Sequence, residues 1–316
     1  MHNATDLNTF INKYYKINFQ RKETSMGSLD GRIAIITGAG RGIGREHALL
    51  FAKEGAKIVV NDLGGALDGT GDDRSAAQVV ADEINTLGGE AVANTDNITD
   101  WQGGQNLINT AVEAFGGLDI LVNNAGILRD RVLINMTEEE WDAVIHVHLK
   151  GHFVPTRWAA TYWREQSKAG KPVNAAVVNT SSTSGLLGNP GQANYGAAKA
   201  GIAAFTVICS QELGRYGVRV NAIAPAARTR MTENTPGLSD IVKAPENGFD
   251  SWAPDNISPL VAYLSEAACP STGKVFFVQG GKVQLFQPWT LTTEIDKGAK
   301  WEVSELEKEM TKLLGY

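Results

Sequence analysis

The chain has 316 residues, 43% hydrophobic and 20% charged, an ordinary globular composition with room for one large domain or two small ones. Its net charge of −6 argues against a general nucleic-acid binder, which carries a basic surface, and no apolar run is long enough to cross a bilayer. The two cysteines, Cys209 and Cys269, form no CxxC pair, which argues against a disulfide framework or a thiolate metal site and fits a reducing cytoplasm.

Residues 1–28 differ in character from the rest of the chain. The first 25 contain no glycine, are rich in Asn, Lys and Tyr, and lack the apolar stretch of a secretory signal. They are expected to form a partly disordered arm, whose Phe10, Ile11, Tyr14, Tyr15, Ile17 and Phe19 can pack on the body or a partner. From residue 29 the pattern alternates. Short β-branched runs fall at 33–37, 57–61, 90–94, 119–123, 174–179, 219–224 and 274–278. They are nearly continuous in apolar residues, as strands covered on both faces are. Helical periodicity fills 42–54, 74–87, 102–115, 138–149, 152–168, 194–214 and 255–265. This alternation predicts an α/β fold: a doubly wound, seven-stranded parallel sheet with helices on both faces, with residues 29–282 as a single domain.

Two stretches break the alternation. Residues 226–253 form a long irregular excursion after a strand's C-terminal end, and read as a substrate lid. The extension 283–316 ends with Val303, Leu306, Met310, Leu313 and Leu314 on one helical face. That face should dock on the body or on a neighbouring subunit.

The stretch "ITGAGRGIGREHALLFA" follows the first strand and opens the first helix. Gly38, Gly42 and Gly44 permit a tight turn and let a pyrophosphate approach the backbone and the helix N-terminus. The spacing departs from GxGxxG, since Ile43 stands where that fingerprint needs glycine. No Gly-Lys-Ser/Thr follows, which argues against a Walker-type loop. Asp62 ends the second strand about 20 residues later, where a carboxylate can bind both hydroxyls of an adenosine ribose and repel a 2′-phosphate. That favours NAD over NADP. Arg41 pulls the other way, because a basic residue in this loop can hold a 2′-phosphate. A Rossmann-type dinucleotide domain is therefore expected.

In "NPGQANYGAAKAG", Tyr195 and Lys199 stand at i and i+4 and so share one helix face. Taken alone, the pair reads as a packed tyrosine among small residues. Four motifs in order change that. "TGAGRGIG", "NNAG" at 123–126, "YGAAK" at 195–199, and Ser182, 13 residues before Tyr195, together resemble the short-chain dehydrogenases/reductases over residues 29–280. The resemblance implies Ser182, Tyr195 and Lys199 as catalytic residues. It implies cofactor contacts from Gly38, Arg41, Gly42, Ile43, Gly44, Asp62, Asn97, Asn123, Ala125, Gly126 and Pro225, with Lys199 on the nicotinamide ribose beside Tyr195. It also implies a homodimer or homotetramer.

"VVNDLGG", "GREHALLFA", "VHLKGHF", "APAARTRMT" and the extended tail are similar to a narrower subgroup. It comprises the (3R)-hydroxyacyl-CoA dehydrogenase domain of peroxisomal multifunctional enzyme type 2, also called 17β-hydroxysteroid dehydrogenase type 4, and bacterial single-domain relatives. The implied activity is NAD-dependent interconversion of a secondary alcohol and a ketone, on a 3-hydroxyacyl-CoA or a hydroxysteroid. An NADPH-dependent 3-oxoacyl carrier-protein reductase and a non-catalytic dinucleotide-binding scaffold are the alternatives. Two departures stand out: His148 replaces the wider family's helix Asn, and Pro225-Ala226 replaces its Pro-Gly.

In this scheme Tyr195 exchanges a proton with the substrate oxygen while Ser182 holds that oxygen. A free tyrosine has a pKa near 10, and a nearby ammonium lowers it, so Lys199 is expected to pull Tyr195 toward working pH. His148 reads equally as a polar helix residue bonded to backbone or as the organiser of a water relay to Lys199. His146, His148 and His152 invite a metal reading, but no further ligand of suitable spacing is near. The absence of G-x-S-x-G argues against a serine hydrolase. Glu138, Glu139 and Glu140 fit a helix start, where acids favour the dipole.

Overall fold

The computed structural model describes residues 27–66, 68–71, 73, 75–233 and 240–315. The predicted arm lies outside them except for its last two residues, 27 and 28, and the predicted lid lies outside them at 234–239. The chain divides into a unit ending at Leu285 and a second beginning at Phe286.

The first unit alternates strand and helix from its start. β1 (Ile33–Thr37) leads into α1 (Gly42–Lys53), β2 (Lys57–Asn61) into α2 (Ser75–Thr86), and β3 (Glu90–Asn94) into α3 (Trp101–Phe115). β4 (Ile120–Asn123) precedes α4 (Glu138–Ile145), a π-helical turn (His146–Lys150) and α5 (Gly151–Lys168). β5 (Ala175–Thr180) is followed by α6 (Thr183–Leu186) and the long α7 (Ala193–Leu213). β6 (Val218–Pro225), α8 (Arg230–Glu233), α9 (Ser258–Ser265), β7 (Val275–Gln279) and β8 (Lys282–Leu285) complete it. The acidic run behaves as expected: Thr137 caps α4 by accepting from the amide of Glu140, whose side chain returns to the amide of Thr137.

The sheet order is β3-β2-β1-β4-β5-β6-β7-β8. The seven predicted strands pair in parallel, Ile35 facing Val59 on one side and Leu121 on the other. The eighth strand corrects the seven-stranded expectation. Gly280, at φ +53°, and Gly281 turn the chain back so that β8 pairs antiparallel with β7. Its four residues are all exposed, so it carries none of the apolar continuity that marked the others.

Alternation along each strand feeds two cores. Ala34 and Ile36 of β1 pack with Phe51 of α1, Val80 of α2 and Val261 of α9. Ile33 and Ile35 pack with Leu107 of α3, Trp163 of α5 and Cys209 of α7. The sequence order reverses between β1 and β4, and open α/β sheets open a ligand crevice at the carboxyl ends of such a junction.

The second unit contains α10 (Val303–Leu314). Glu305 accepts from the amide of Glu302, bonds Lys297, and so fixes the helix start. None of the helix's residues is buried, and Val303, at 86% exposure, and Leu314, at 58%, belong to the predicted apolar face.

Candidate active site

The cleft begins where β1 ends. Gly38 and Gly42 adopt φ of +63° and +55°, conformations glycine adopts without strain. A methyl on Gly38 would lie 2.7 Å from the Cα of Ala125, and one on Gly44 would lie 2.2 Å from the carbonyl oxygen of Gly38. The loop therefore packs backbone against backbone on residues 124–126. A methyl on Gly42 would meet only the Cγ2 of Thr229, at 3.8 Å, so this glycine borders open space. Arg41 is the N-cap of α1 but makes no side-chain cap bond. The amides of the helix's first turn are left for an anion, as a pyrophosphate requires. These features fit a dinucleotide.

The "NNAG" motif divides its labour in a way its sequence conceals. Asn124 donates its side-chain amide to the carbonyls of Thr37, at 3.1 Å, and Gly38, at 3.2 Å, fastening the glycine loop. Asn123, singled out as a cofactor contact, instead turns into the interior. It donates to Thr156 Oγ1 and Asn179 Oδ1, each at 2.9 Å, and is 0% exposed. Ala125 and Gly126 line the cleft, together with Gly38, Arg41, Gly42, Ile43, Asp62 and Asn97. Gly44 supports the loop from beneath, and Pro225 stands at the end of β6 opposite Val278.

Asp96 and Thr229 line the same cleft and were not singled out. Asp96 had a readable signal, since it follows β3 as Asp62 follows β2. Asn94 holds its carboxylate at 2.7 Å. Thr229 had none, because only the chain's return after β6 brings it over Gly42. Asp62 accepts from the amides of Gly40, at 2.8 Å, and Gly64, at 2.7 Å, so the carboxylate is pinned at the cleft edge. Arg41 is paired with Asp73 at 2.7 Å.

Ser182, Tyr195 and Lys199 come together at the carboxyl edge of β5. The strand ends at Thr180, and Ser182 caps α6 by accepting from the amide of Ser184. Its neighbours are otherwise engaged: Ser181 donates to the carbonyl of Lys199 at 2.8 Å and Ser184 to Gln192 Oε1 at 2.8 Å. Ser182 is the hydroxyl that acts on the Tyr195 phenol, favouring its charged form. α7 holds both other residues on one face. Its N-terminus is anchored by Asn194, fully buried, which donates to the carbonyls of Arg129 and Glu140 at 3.0 Å each.

The electrostatics reverse one expectation. Tyr195 is not lowered by Lys199: burial pushes its phenol up to about 12, opposed by the Ser182 hydroxyl and reinforced by Asp130. Lys199 is 2% exposed, and burial pushes it down to about 7. Its ammonium points at the carbonyl of Thr180, 2.6 Å away, and lies 5.4 Å from the centre of the tyrosine ring. Desolvation acts on both groups and favours both neutral forms.

His148 sits on the π-helical turn, a distortion that recurs at functional sites. Its Nε2 is 3.1 Å from the amide nitrogen and 2.8 Å from the carbonyl oxygen of Ile127, and its ring meets Tyr195 edge-on at 5.1 Å. Its Nδ1 is buried and finds no hydrogen-bond partner among the described residues. The helix continues past Gly151, so His152 does lie one turn on, but it faces the amide of Thr180 at 3.4 Å. The two rings thus serve different segments, the loop after β4 and the end of β5.

The short chain dehydrogenase family profile matches residues 32–237. A hydroxyacyl-CoA dehydrogenase, ChsB1, of Mycobacterium tuberculosis is 45% identical over 302 residues, covering 93% of this chain and 92% of its own. Peroxisomal multifunctional enzyme type 2 of Drosophila melanogaster is 47% identical over 244 residues, 77% of this chain but only 38% of that longer protein. The crystal structure of a short chain dehydrogenase from Mycobacterium avium superposes with a TM-score of 0.81 at 55% identity, covering 92% of this chain and 96% of that one. Fold, cleft and relatives agree: the chain belongs to the short-chain dehydrogenase/reductase family of oxidoreductases.

Proposed function

We propose that this family member is an NAD(H)-dependent dehydrogenase that interconverts a 3-hydroxyacyl-CoA and its 3-oxo counterpart. The observation that carries the reading is the meeting of Ser182, Tyr195 and Lys199 beside a glycine-loop cleft. The mycobacterial relative named a hydroxyacyl-CoA dehydrogenase, matched over nearly its full length, supports the substrate class.

The bound dinucleotide supplies hydride exchange and, when oxidised, a positive charge. The residues of the chain manage the proton. With its pKa held up at about 12, Tyr195 is a phenol in the free protein, ready to donate to a carbonyl oxygen in reduction. In oxidation the phenol first gives up its own proton to solvent, a step that the positive charge of the oxidised dinucleotide and of Lys199 would favour, and the phenolate then takes the proton of the substrate hydroxyl. Ser182 holds the same oxygen by a hydrogen bond. Lys199 lies beside the ring and would hold the ribose hydroxyls of a bound nicotinamide. His148, locked on Ile127, fixes the orientation of Tyr195. Asp62 would take the adenosine ribose hydroxyls, and a dianionic 2′-phosphate beside its carboxylate would be unfavourable, which supports NAD.

A hydroxysteroid would use the same groups, and the irregular stretch after β6 is where the two substrates would be told apart. The lid reading is supported by Arg228, which pairs with Asp250 and donates to the carbonyl of Val242 at 2.9 Å. A homo-oligomer is supported by exposed apolar side chains on neighbouring helices: Trp141 on α4, Phe153 on α5 and Ile208 on α7. A cytoplasmic setting is supported by two cysteines that are buried and unpaired.

The test is the growth of reduced-nicotinamide absorbance when the full chain meets 3-hydroxyacyl-CoAs or hydroxysteroids with NAD or NADP. Turnover of the acyl-CoA with NAD is expected. No turnover of either class would sink the dehydrogenase reading, and steroid-only turnover would move the substrate assignment. Sedimentation of the same preparation gives the oligomeric state.

A further inference from the structure

The segment joining β2 to α2 returns on itself beside the glycine loop. Asp62 opens it, and the amide of Asp73 donates to the carbonyl of Gly64 at 3.2 Å. The approach is close: Gly64 has φ +82°, and a methyl there would lie 2.1 Å from the carbonyl oxygen of Asp73. Asp73 is thereby returned to within two residues of the Asp62 position. Its carboxylate is held by the Ser75 hydroxyl on one oxygen and by Arg41 on the other, 2.7 Å away. At its other end the segment is tied down by Arg129, which donates to the carbonyl of Asp68 at 2.9 Å.

Arg41 is the only cation among the described residues that line the cleft, which also carries the carboxylates of Asp62 and Asp96. A cofactor bearing a 2′-phosphate brings a dianion to the adenosine ribose and needs an unengaged cation there. Asp62 opposes that dianion by like charge. Asp73 opposes it differently, by occupying the group that would bind it. Glycine-loop arginines are read from sequence as an NADP feature. Here the arginine has a fixed partner 32 residues away.

We propose that Asp73 is a positioning residue for cofactor choice: by holding Arg41, it withholds that guanidinium from a 2′-phosphate and sets the chain toward NAD. This rests on reading the cleft as a dinucleotide site with NAD preference. The pair is half-exposed, with side chains 37% and 51% accessible, so its effect is moderate and salt-screened.

Dissociation constants for NADH and NADPH, read by nicotinamide fluorescence on the full chain, test it with wild type, Asp73→Asn, Arg41→Ala and the double variant. Asp73→Asn keeps a side chain that can bond Ser75 and removes the charge; Asp73→Ala is the second variant. Releasing Arg41 should shift the NADPH-to-NADH affinity ratio toward NADPH by about fivefold, the upper range for an exposed pair. The shift should vanish when Arg41 is already alanine and shrink as salt rises. A ratio unchanged in both Asp73 variants overturns the proposal. So does a shift that persists without Arg41, which would implicate another cation such as Arg74, next in sequence. If the wild type prefers NADPH, the NAD reading fails separately, and the coupling between positions 73 and 41 still decides the role of Asp73.

Discussion

A methyl group on Gly126 would lie 2.3 Å from Cε1 of His148 and 3.0 Å from its Nδ1. The last residue of the "NNAG" motif is thus shaped to admit the imidazole that bonds Ile127 and abuts Tyr195. Gly126→Ala should force the ring away and destabilise the protein by roughly 1–3 kcal/mol, the range for overpacking a tight core. His148→Ala in the same chain should recover part of that loss, because the clash is shared. Thermal unfolding of both single variants and the double is the check; strictly additive losses would show that the contact is not the cause.

Tyr195→Phe removes the proton carrier and leaves the ring. Turnover should fall at least ~100-fold, the lower range for a general acid–base group, while NADH still binds. Turnover within about tenfold of wild type would show that Tyr195 is not the proton carrier.

Lys199 titrates near 7 in the folded chain against 10.5 when free. Between those values the unfolded chain binds the extra proton, so this residue's contribution to stability rises with pH across that window and its full penalty applies below it. Urea unfolding of wild type and Lys199→Met should show the wild type gaining on the variant by roughly 2 kcal/mol or more between about pH 7 and 10. A constant difference would mean that Lys199 is not desolvated.

Three buried histidines make the opposite limb. Burial pushes His47 from 6.5 to about 3, and His148 and His152 well below their ordinary value. Each is neutral in the fold and takes a proton when unfolded, so stability is present above about 6.5 and is lost as pH falls, for His47 through about 3. For His47 the cost should be about 2 kcal/mol on going from about pH 6.5 to 5. His47→Asn should flatten that slope, since the His47 ring is fully buried and bonds Ser258 at 2.8 Å. An unaltered slope would contradict its burial as a neutral ring.

Asp62→Ala should narrow the gap between NADH and NADPH affinity. It also releases the amides of Gly40 and Gly64, so both cofactors should weaken, NADH more. Equal weakening of the two would refute the ribose role and leave Asp62 as a loop fastener.

Strand and helix order were legible because each element carries its own period. The parallel strands are buried on both faces and so read as unbroken apolar runs, and residues 33–37, 57–61 and 90–94 match to the residue. β8 was not legible, since an exposed edge strand needs a partner rather than a pattern. The π-helical turn was equally silent, because the helical period of the sequence runs through residues 138–149 without a break.

By itself the sequence determined which chemical groups are present and in what order: a glycine turn after a strand, a carboxylate after the next, and Ser182, Tyr195 and Lys199 at their spacing. Only the tertiary structure decided what those groups are bonded to. It turned Asn123 inward and Asn124 onto the loop, engaged Ser181 with Lys199 and Ser184 with Gln192, and gave Arg41 to Asp73. It also set the sign of the shift at Tyr195, because charge proximity can be read from an i, i+4 spacing while desolvation depends on everything packed around the ring.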